Sequence, residues 1–251
     1  MPEYLSDSQA KETILEIGRR MYSKNFVAAN DGNISCRVGE DAIWATPTGV
    51  SKGFMDQETL VKLRLDGTVI SKGNLNFSSE IKMHLRVYNE NPEVRGVTHA
   101  HPPACTSFAV AGIGLDQAVY PEALVNLGVV PCVHYETPGT GGVADSVAPY
   151  CNSHSAVLLA NHGALSWGKS PMEAFFRLES MEHYAMILLY TGSLIGRAKT
   201  LSYDQVSELV EIRRKLGMSG GGVPVCAEKA TNLTDSFAGY GTVEEARGIP
   251  K

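Results

Sequence analysis

The sequence has no long apolar run and few of the features that mark an exported protein. None of its 251 residues fall in a stretch of about 18 consecutive apolar residues, which excludes a membrane-spanning helix. The first residues are polar and acidic, unlike a secretory signal peptide. The five cysteines are an odd number and none forms a Cys-x-x-Cys pair. We therefore expect reduced thiols and a cytoplasmic protein.

The sequence also lacks an excess of basic residues. Its 22 lysines and arginines stand against 27 aspartates and glutamates, for a net charge of −5. This balance argues against a general binder of nucleic acids or other polyanions. It leaves open a local anion pocket built from backbone N–H groups. The hydrophobic content of 43% is typical of a soluble protein with a full core.

Helical and strand patterns alternate along the chain and predict an α/β fold. Several strand pairs are separated by short turns, which favours a mixed or mostly antiparallel sheet. The pattern over Val129–Tyr135 predicts a strand. Ser170 and Glu173 predict a capping box at the start of a long helix, which we expect to end at Gly192. No internal repeat or linker precedes residue 218, so we predict one domain over residues 1–217 and a glycine-rich C-terminal tail over 218–251.

Two histidines, His99 and His101, follow an alternating apolar run and are called the dyad below. Residues i and i+2 of a strand face the same side, so both imidazoles would point to one place at a strand end. Pro102 and Pro103 stop that strand. Two neutral imidazoles aimed at one point are half of a metal site. A pair of partly exposed histidines making ordinary hydrogen bonds is the alternative, and the dyad alone does not decide between them.

His162 is the best candidate for a third ligand. It directly follows the apolar run Ala156–Ala160 and precedes a glycine, so it lies at a turn beside a buried strand. Three histidines with one open position make up a catalytic zinc set. Four other histidines compete for the third place. His84 lies one helical turn after Glu80, and ordinary surface or core positions are favoured for the others, which are His134, His154 and His183.

Three loops of small residues precede the histidines along the chain. One of them ends at the start of a helix, where aligned N–H groups favour an anion. Together the loops offer N–H groups, hydroxyls and an amide that could bind phosphate, at Gly32, Asn33, Thr48, Gly49, Ser78 and Ser79. Turn formation and helix capping are commoner uses of such residues, and the spacing alone favours those uses. Lys52 is a cation near the second loop, and we expect it to be a solvated surface lysine.

Five short motifs occur in an order that resembles one protein family. They are Ala-Asn-Asp-Gly-Asn-Ile-Ser at 29–35, Thr-Pro-Thr-Gly at 46–49, Ser-Ser-Glu at 78–80, His-Ala-His-Pro-Pro at 99–103 and Ala-Asn-His-Gly at 160–163. Together they resemble the class II aldolase/adducin family, most closely its L-fuculose-phosphate aldolase branch, over roughly residues 8–195. The resemblance implies a three-layer α/β/α fold around a central mixed, largely antiparallel sheet. It also implies a homotetramer with active sites at subunit interfaces.

The same resemblance assigns roles to residues of this chain. It implies that one Zn²⁺ per subunit, or another divalent ion such as Mn²⁺ or Co²⁺, is held by His99, His101 and His162. Glu80 matches the catalytic acid/base, which can also contact the metal. The small residues of the three loops match the positions that bind the substrate phosphate. Tyr120 matches a tyrosine that donates a proton in the adjacent subunit's site, and Tyr240 resembles a tail tyrosine that closes over a neighbouring site.

The reaction implied is reversible cleavage of a ketose 1-phosphate to dihydroxyacetone phosphate and a short aldehyde. The substrate would be L-fuculose 1-phosphate or a related deoxy-ketose phosphate, and the metal would stabilise the enediolate that cleavage leaves. Related pentulose-5-phosphate 4-epimerases carry aspartate where this chain has Glu80. Phospho-sugar-acid decarboxylases need the same metal chemistry and a cation for the carboxylate, and they remain an alternative. A non-catalytic, adducin-like scaffold would lack the three histidines.

Overall fold

The computed structural model describes residues 4–196, 198–218 and 220–224. Within them the chain forms eight strands and seven α-helices. The strands are β1 Asn33–Gly39, β2 Ala42–Ala45, β3 Val61–Leu63, β4 Val69–Ser71, β5 Gly96–Ala100, β6 Cys132–Val133, β7 Ala156–Leu159 and β8 Gly163–Gly168. The helices are α1 Asp7–Ser23, α2 Ile81–Glu90, α3 Pro103–Ala111, α4 Pro121–Asn126, α5 Gly141–Val147, α6 Pro171–Leu189 and α7 Tyr203–Lys215.

The eight strands form one sheet in the order β4-β3-β2-β1-β5-β8-β7-β6. Every neighbouring pair is antiparallel except β6 and β7, which run parallel. Short turns suffice to connect successive antiparallel strands such as β1 and β2, whereas a parallel pair needs a longer crossover. Because six of the seven neighbouring strand pairs are antiparallel, the predicted mixed, largely antiparallel sheet is confirmed.

Helices cover both faces of this sheet. Side chains alternate along a strand, so each strand supplies residues to two separate cores. Ile34 and Cys36 of β1 pack in a core with residues of α1, α3 and α6. On the opposite face, Ile43 of β2 and Leu165 of β8 pack with residues of α2 and α5. The architecture is the three-layer α/β/α arrangement that the resemblance implied.

The long helix α6 differs from its prediction at both ends. The Ser170 hydroxyl accepts a hydrogen bond from the Glu173 N–H at 3.0 Å, as expected of a cap. The Glu173 carboxylate, however, accepts from the N–H of Lys169 instead of completing the capping box. The helix also does not end at Gly192, because a π-helical segment over Tyr190–Ile195 continues it.

The first described residues of the C-terminal tail lie against the body of the domain. The Gly221 N–H donates to the Ser153 carbonyl, and the Gly221 carbonyl accepts from the Val129 N–H, both at 2.5 Å. The predicted boundary at residue 218 stays a prediction, since Tyr240 and most of the tail lie outside the described residues. Among the helices of the described part, none has the length and apolar character needed to cross a membrane.

Candidate metal centre

Three strand ends meet at one edge of the sheet and form the candidate site. Strand β5 runs antiparallel to β1 and to β8, so its C-terminal end lies beside their N-terminal ends. His99 pairs with Asn33 on one side and with Leu165 on the other. His101 follows β5 directly, and His162 immediately precedes β8. The topology therefore brings the dyad and the predicted third ligand together.

The three imidazoles converge. One nitrogen each from His99, His101 and His162 lies within 4.8 Å of the other two. The Nε2 atoms of His99 and His101 are 3.2 Å apart. Two nitrogens bound to one tetrahedral Zn²⁺ at about 2.0 Å would lie about 3.3 Å apart, so this spacing suits a shared ion.

Hydrogen bonds on the outer side of the dyad fix which nitrogens face inward. His99 Nδ1 lies 2.9 Å from the Ala164 carbonyl oxygen, which can only accept, so Nδ1 carries the proton. His101 Nδ1 lies 3.3 Å from Asp31 Oδ2 and donates by the same reasoning. Both Nε2 atoms then direct lone pairs toward each other, an arrangement that a divalent cation stabilises. The donor set therefore fits a metal ion.

Burial keeps the dyad in the form that binds a metal. Desolvation lowers the pKa of the fully buried His99 well below its ordinary value and outweighs the opposing attraction of Glu80. Burial also lowers the pKa of His101, with a further contribution from His162. Because only neutral imidazole can donate its lone pair to a metal, both residues are prepared for ligation near neutral pH.

Glu80 directs its carboxylate at the three histidines. It stands at the N-cap of α2 but makes no capping hydrogen bond. Its Oε1 lies 2.9 Å from His162 Nε2, and its Oε2 lies 3.7 Å from His99 Nε2. Asn33 Nδ2 donates to Oε2 at 2.8 Å. Burial by itself raises the pKa of this carboxyl, but the interaction with His99 and the hydrogen bond with His162 lower the pKa overall. The carboxylate is thus ionised beside the proposed metal position.

The three small-residue loops lie together around Glu80. The Thr48 N–H donates to the Asn76 carbonyl at 2.9 Å, which ties the second loop to the segment before α2. In that segment, the Ser78 hydroxyl accepts from the Glu80 N–H at 3.3 Å. The first loop reaches Glu80 through Asn33. These contacts join the segments that carry the predicted phosphate residues, Gly32, Asn33, Thr48, Gly49, Ser78 and Ser79, whose role in binding phosphate stays a prediction.

Lys52 is buried, so the prediction of a solvated surface lysine is wrong. Lys52 is only 1% exposed to solvent. Its Nζ donates hydrogen bonds to the carbonyls of Asn30 at 2.8 Å and Val50 at 2.7 Å. Burial lowers the pKa of this amine to about 8, while the carboxylates of Asp31 and Glu80 act in the opposite direction. The position lies between polar loop residues, which is why no apolar pattern in the sequence indicates its burial.

Of the two predicted tyrosines, Tyr120 lies in the described part of the structure and Tyr240 does not. Tyr120 immediately precedes α4 and is partly buried. Its ring lies 5.7 Å from the ring of His183 on α6, in an edge-to-face arrangement. Its predicted role in an adjacent subunit's site stays a prediction. Tyr240 falls outside the described residues.

Two carboxylates that support the dyad were not identified from the sequence. Asp31 is the partner of His101, as described above. Glu182, buried on α6, accepts from the backbone N–H groups of Ala104 and Cys105 at 2.9 and 2.8 Å. It therefore caps the first turn of α3, directly after the dyad strand. A glutamate on the apolar face of a helix is the one signal that could have indicated such a buried partner.

Replacing Gly163 by alanine should damage the site through packing. A Cβ at this position would lie 2.6 Å from the Ala100 carbonyl oxygen and 2.6 Å from His101 Cδ2. Because β5 and β8 are paired at this point, the backbone would have to shift, at a cost of about 1–3 kcal/mol. We expect a lower melting temperature and weaker metal binding in Gly163→Ala. Gly141→Ala is the matched control, since open space surrounds that position. Equal stability of the two variants would contradict the packing argument.

Because His84 is buried, we expect the free energy of unfolding to fall in acid. It is fully buried, with Nδ1 2.8 Å from the Ser35 hydroxyl, and it lies outside the cluster of three histidines. Burial lowers its pKa to about 3, against the attraction of Glu80. Between about pH 6.5 and 3 the unfolded chain would hold a proton at His84 that the folded chain does not, so stability falls as pH falls. At pH 5, His84 is expected to lower the free energy of unfolding by about 2 kcal/mol relative to pH 7.

Urea unfolding of metal-free protein at pH 7 and pH 5 would measure this effect. In His84→Asn, which keeps a polar atom near Ser35, the drop in the free energy of unfolding should be smaller by about 2 kcal/mol. His134→Asn provides the control, because the His134 side chain is 71% exposed. An identical drop in wild type and His84→Asn would refute the assignment.

Comparison with known proteins agrees with this geometry. The family model of the class II aldolase and adducin N-terminal domain matches residues 12–189. A 5-deoxy-D-ribulose 1-phosphate aldolase from Bacillus thuringiensis serovar kurstaki is 34% identical over 202 residues, covering 80% of this chain and 93% of that protein. A 3-oxo-tetronate 4-phosphate decarboxylase from Pectobacterium atrosepticum is 28% identical over 208 residues, covering 81% of this chain and 94% of that protein.

A solved structure shares the fold. The structure of an L-fuculose 1-phosphate aldolase superposes with a TM-score of 0.75 and 25% sequence identity, covering 84% of this chain and 98% of that chain. The matched family region contains all five sequence motifs and the three convergent histidines. The chain therefore belongs to the class II aldolase and adducin family.

Proposed function

We propose that this protein is a metal-dependent aldolase that reversibly cleaves a ketose 1-phosphate to dihydroxyacetone phosphate and a short aldehyde. The observation that carries the proposal is the ionised Glu80 carboxylate held beside three convergent imidazoles. A divalent ion held by His99, His101 and His162, with Zn²⁺ the first candidate, would supply a Lewis acid that polarises the substrate carbonyl. Glu80 can also contact that ion.

Glu80 has the position and the support expected of an acid/base. Asn33 holds one carboxylate oxygen, and His162 lies beside the other. With its orientation fixed, the carboxylate can take a proton from the carbon next to the substrate carbonyl in one direction and return it in the other. A positioned acid/base contributes about 10²- to 10⁴-fold to a rate.

The remaining parts of the proposal concern the substrate ends and the assembly. The six small residues of the three loops would bind the substrate phosphate through N–H groups, hydroxyls and an amide. Tyr120 would donate a proton to the aldehyde oxygen in an adjacent subunit's site, and Tyr240 would close over a neighbouring site. Both roles require the homotetramer that the family resemblance implies. The four cysteines of the described part are free thiols, consistent with a cytoplasmic protein.

A phospho-sugar-acid decarboxylase is the second candidate, favoured by the similarity to 3-oxo-tetronate 4-phosphate decarboxylases. That reaction would use the same metal centre and would need a cation to bind the substrate carboxylate. Lys52 is a buried cation near Glu80, but both of its observed hydrogen bonds go to backbone carbonyls. This use of the ammonium group favours the aldolase over the decarboxylase.

One substrate panel discriminates between the candidates. Metal-loaded protein would be tested with L-fuculose 1-phosphate, 5-deoxy-D-ribulose 1-phosphate, 3-oxo-tetronate 4-phosphate and a pentulose 5-phosphate. Release of dihydroxyacetone phosphate supports the aldolase, whereas release of CO₂ without it supports the decarboxylase. Interconversion of pentulose 5-phosphates without cleavage would indicate the epimerase. If metal analysis finds no divalent ion after growth with added metal, the enzyme proposal fails.

A further inference from the structure

The backbone at Lys52 is fixed against the first helix. Lys52 begins a short 3₁₀ segment over Lys52–Phe54. A Cβ at Gly18 of α1 would lie 2.4 Å from the Lys52 carbonyl oxygen, so the missing side chain permits a very close approach. A Cβ at Gly53 would lie 2.6 Å from the ring of Tyr22 on the same helix. With its backbone held in this way, Lys52 directs its side chain into the protein.

The Lys52 ammonium group joins two of the three small-residue loops. It donates to the Asn30 carbonyl, two residues before Gly32, and to the Val50 carbonyl, directly after Gly49. Hydrogen bonds between Ile34 and Thr46 also hold these two loops together. The Lys52 ammonium group adds a charged donor that both loops share. Hydrogen bonds from a charged donor are roughly twice as strong as those from a neutral donor.

The charge of Lys52 is held at the candidate site. Burying an ammonium group is costly unless other groups compensate it. Two carboxylates, Asp31 and Glu80, interact favourably with this charge. An apolar side chain of similar length would fill the same space without that cost. Retaining a charge here is therefore better explained by an effect on the site than by packing.

We propose that Lys52 is a positioning residue for a phosphomonoester. It holds the loops of Gly32-Asn33 and Thr48-Gly49 as one anion-binding surface and places positive charge behind it. This inference rests on the proposed function, because it assigns the phosphate of that substrate to these loops. It also makes a claim about anion binding that can be measured without turnover.

The test compares Lys52→Met, Lys52→Gln and Lys52→Arg with the wild type. Lys72→Met is the matched control, because Lys72 is exposed and donates to Asn76 in an adjoining loop. Inorganic phosphate is titrated into the metal-loaded protein by calorimetry, and metal content and melting temperature are recorded for each variant. Loss of the charged donor should weaken phosphate binding by about tenfold or more, with metal content unchanged.

Kinetics in the direction of aldol addition supply the second readout. Lys52→Met should raise the KM for dihydroxyacetone phosphate by about tenfold while changing kcat much less, since uniform binding is lost. Lys52→Arg should recover most of the affinity. If Lys52→Met does not fold, Lys52→Gln gives the same comparison with a neutral donor. A lower melting temperature with unchanged phosphate affinity would show a purely structural lysine and overturn the proposal.

The phosphate titration separates this inference from the proposed reaction. If the wild type binds phosphate in a Lys52-dependent manner but cleaves none of the substrates, the assignment of Lys52 stands and the aldolase reaction fails. If the wild type cleaves a ketose phosphate but phosphate affinity does not depend on Lys52, the aldolase stands and this inference fails. If the wild type binds no phosphate, the inference about Lys52 is overturned.

Discussion

His101→Ala is expected to remove metal binding and activity together. His101 supplies one of two Nε2 atoms that lie 3.2 Å apart, and its Nδ1 is held by Asp31. Alanine at this position leaves only two imidazoles at the site and removes the histidine partner of the Asp31 carboxylate. Loss of a supporting partner alone costs about 10- to 100-fold in metal affinity, and loss of the ligand should cost more. Metal content after dialysis and the rate of ketose phosphate cleavage would be measured on the same sample.

Two further variants make this result specific. His134→Ala is the control for metal content, because this exposed histidine pairs with Glu136 outside the cluster of three. Asp31→Asn should fall between that control and His101→Ala, with the ligand present but less well oriented, by about 10- to 100-fold in metal affinity. If His101→Ala kept about one tightly bound ion per chain, the three-histidine site would be wrong.

The sequence predicts the centre of this site because its parts follow local rules. His99 and His101 are two residues apart, and strand geometry alone places them on one side. His162 follows an apolar run that forms the buried strand β7. What local rules do not supply is the pairing of β5 with both β1 and β8. The ordered motifs of the family supplied that long-range information.

Asp31 and Glu182 were not predicted from the sequence because their contacts follow no local rule. Glu182 contacts the start of α3 across 78 residues of sequence, and Asp31 contacts His101 across 70. Neither contact has a periodic pattern or a fixed spacing. The burial of Lys52 likewise depends on Gly18 of α1, a helix that is distant in sequence. Such tertiary contacts decide the exposure of a charged residue, whereas composition and periodicity describe only its neighbours along the chain.

The region between α3 and β7 shows the limits of propensity. The pattern over Val129–Tyr135 predicts a full strand, but only Cys132–Val133 pairs with β7. Short helix α4, Pro121–Asn126, has no strong periodic signal and packs against α7 in a separate small core. Edge elements of this kind obtain their structure from the elements they contact, and intrinsic preference is a weak guide to them.

Glu80→Gln is expected to separate metal binding from catalysis. The three histidines remain, so the protein should still bind its ion. Glutamine has the size of glutamate and keeps an oxygen near Asn33, but it cannot accept the substrate proton. Removing a positioned acid/base should lower kcat by about 10²- to 10⁴-fold. Metal content and kcat would be measured on the same preparation, with the concentration of folded protein checked by its unfolding transition.

Two comparison variants, Glu12→Gln and His101→Ala, separate the effect of Glu80 on catalysis from an effect on metal binding. Glu12→Gln changes an exposed glutamate of α1 in the same way and should leave both kcat and metal content unaltered. His101→Ala should lose both properties, whereas Glu80→Gln should lose only one. A metal-loaded Glu80→Gln enzyme with nearly full activity would show that another group moves the proton. A variant that lost its metal would show instead that Glu80 is an essential ligand, because the charge of its carboxylate would then be needed to hold the ion beside three neutral imidazoles.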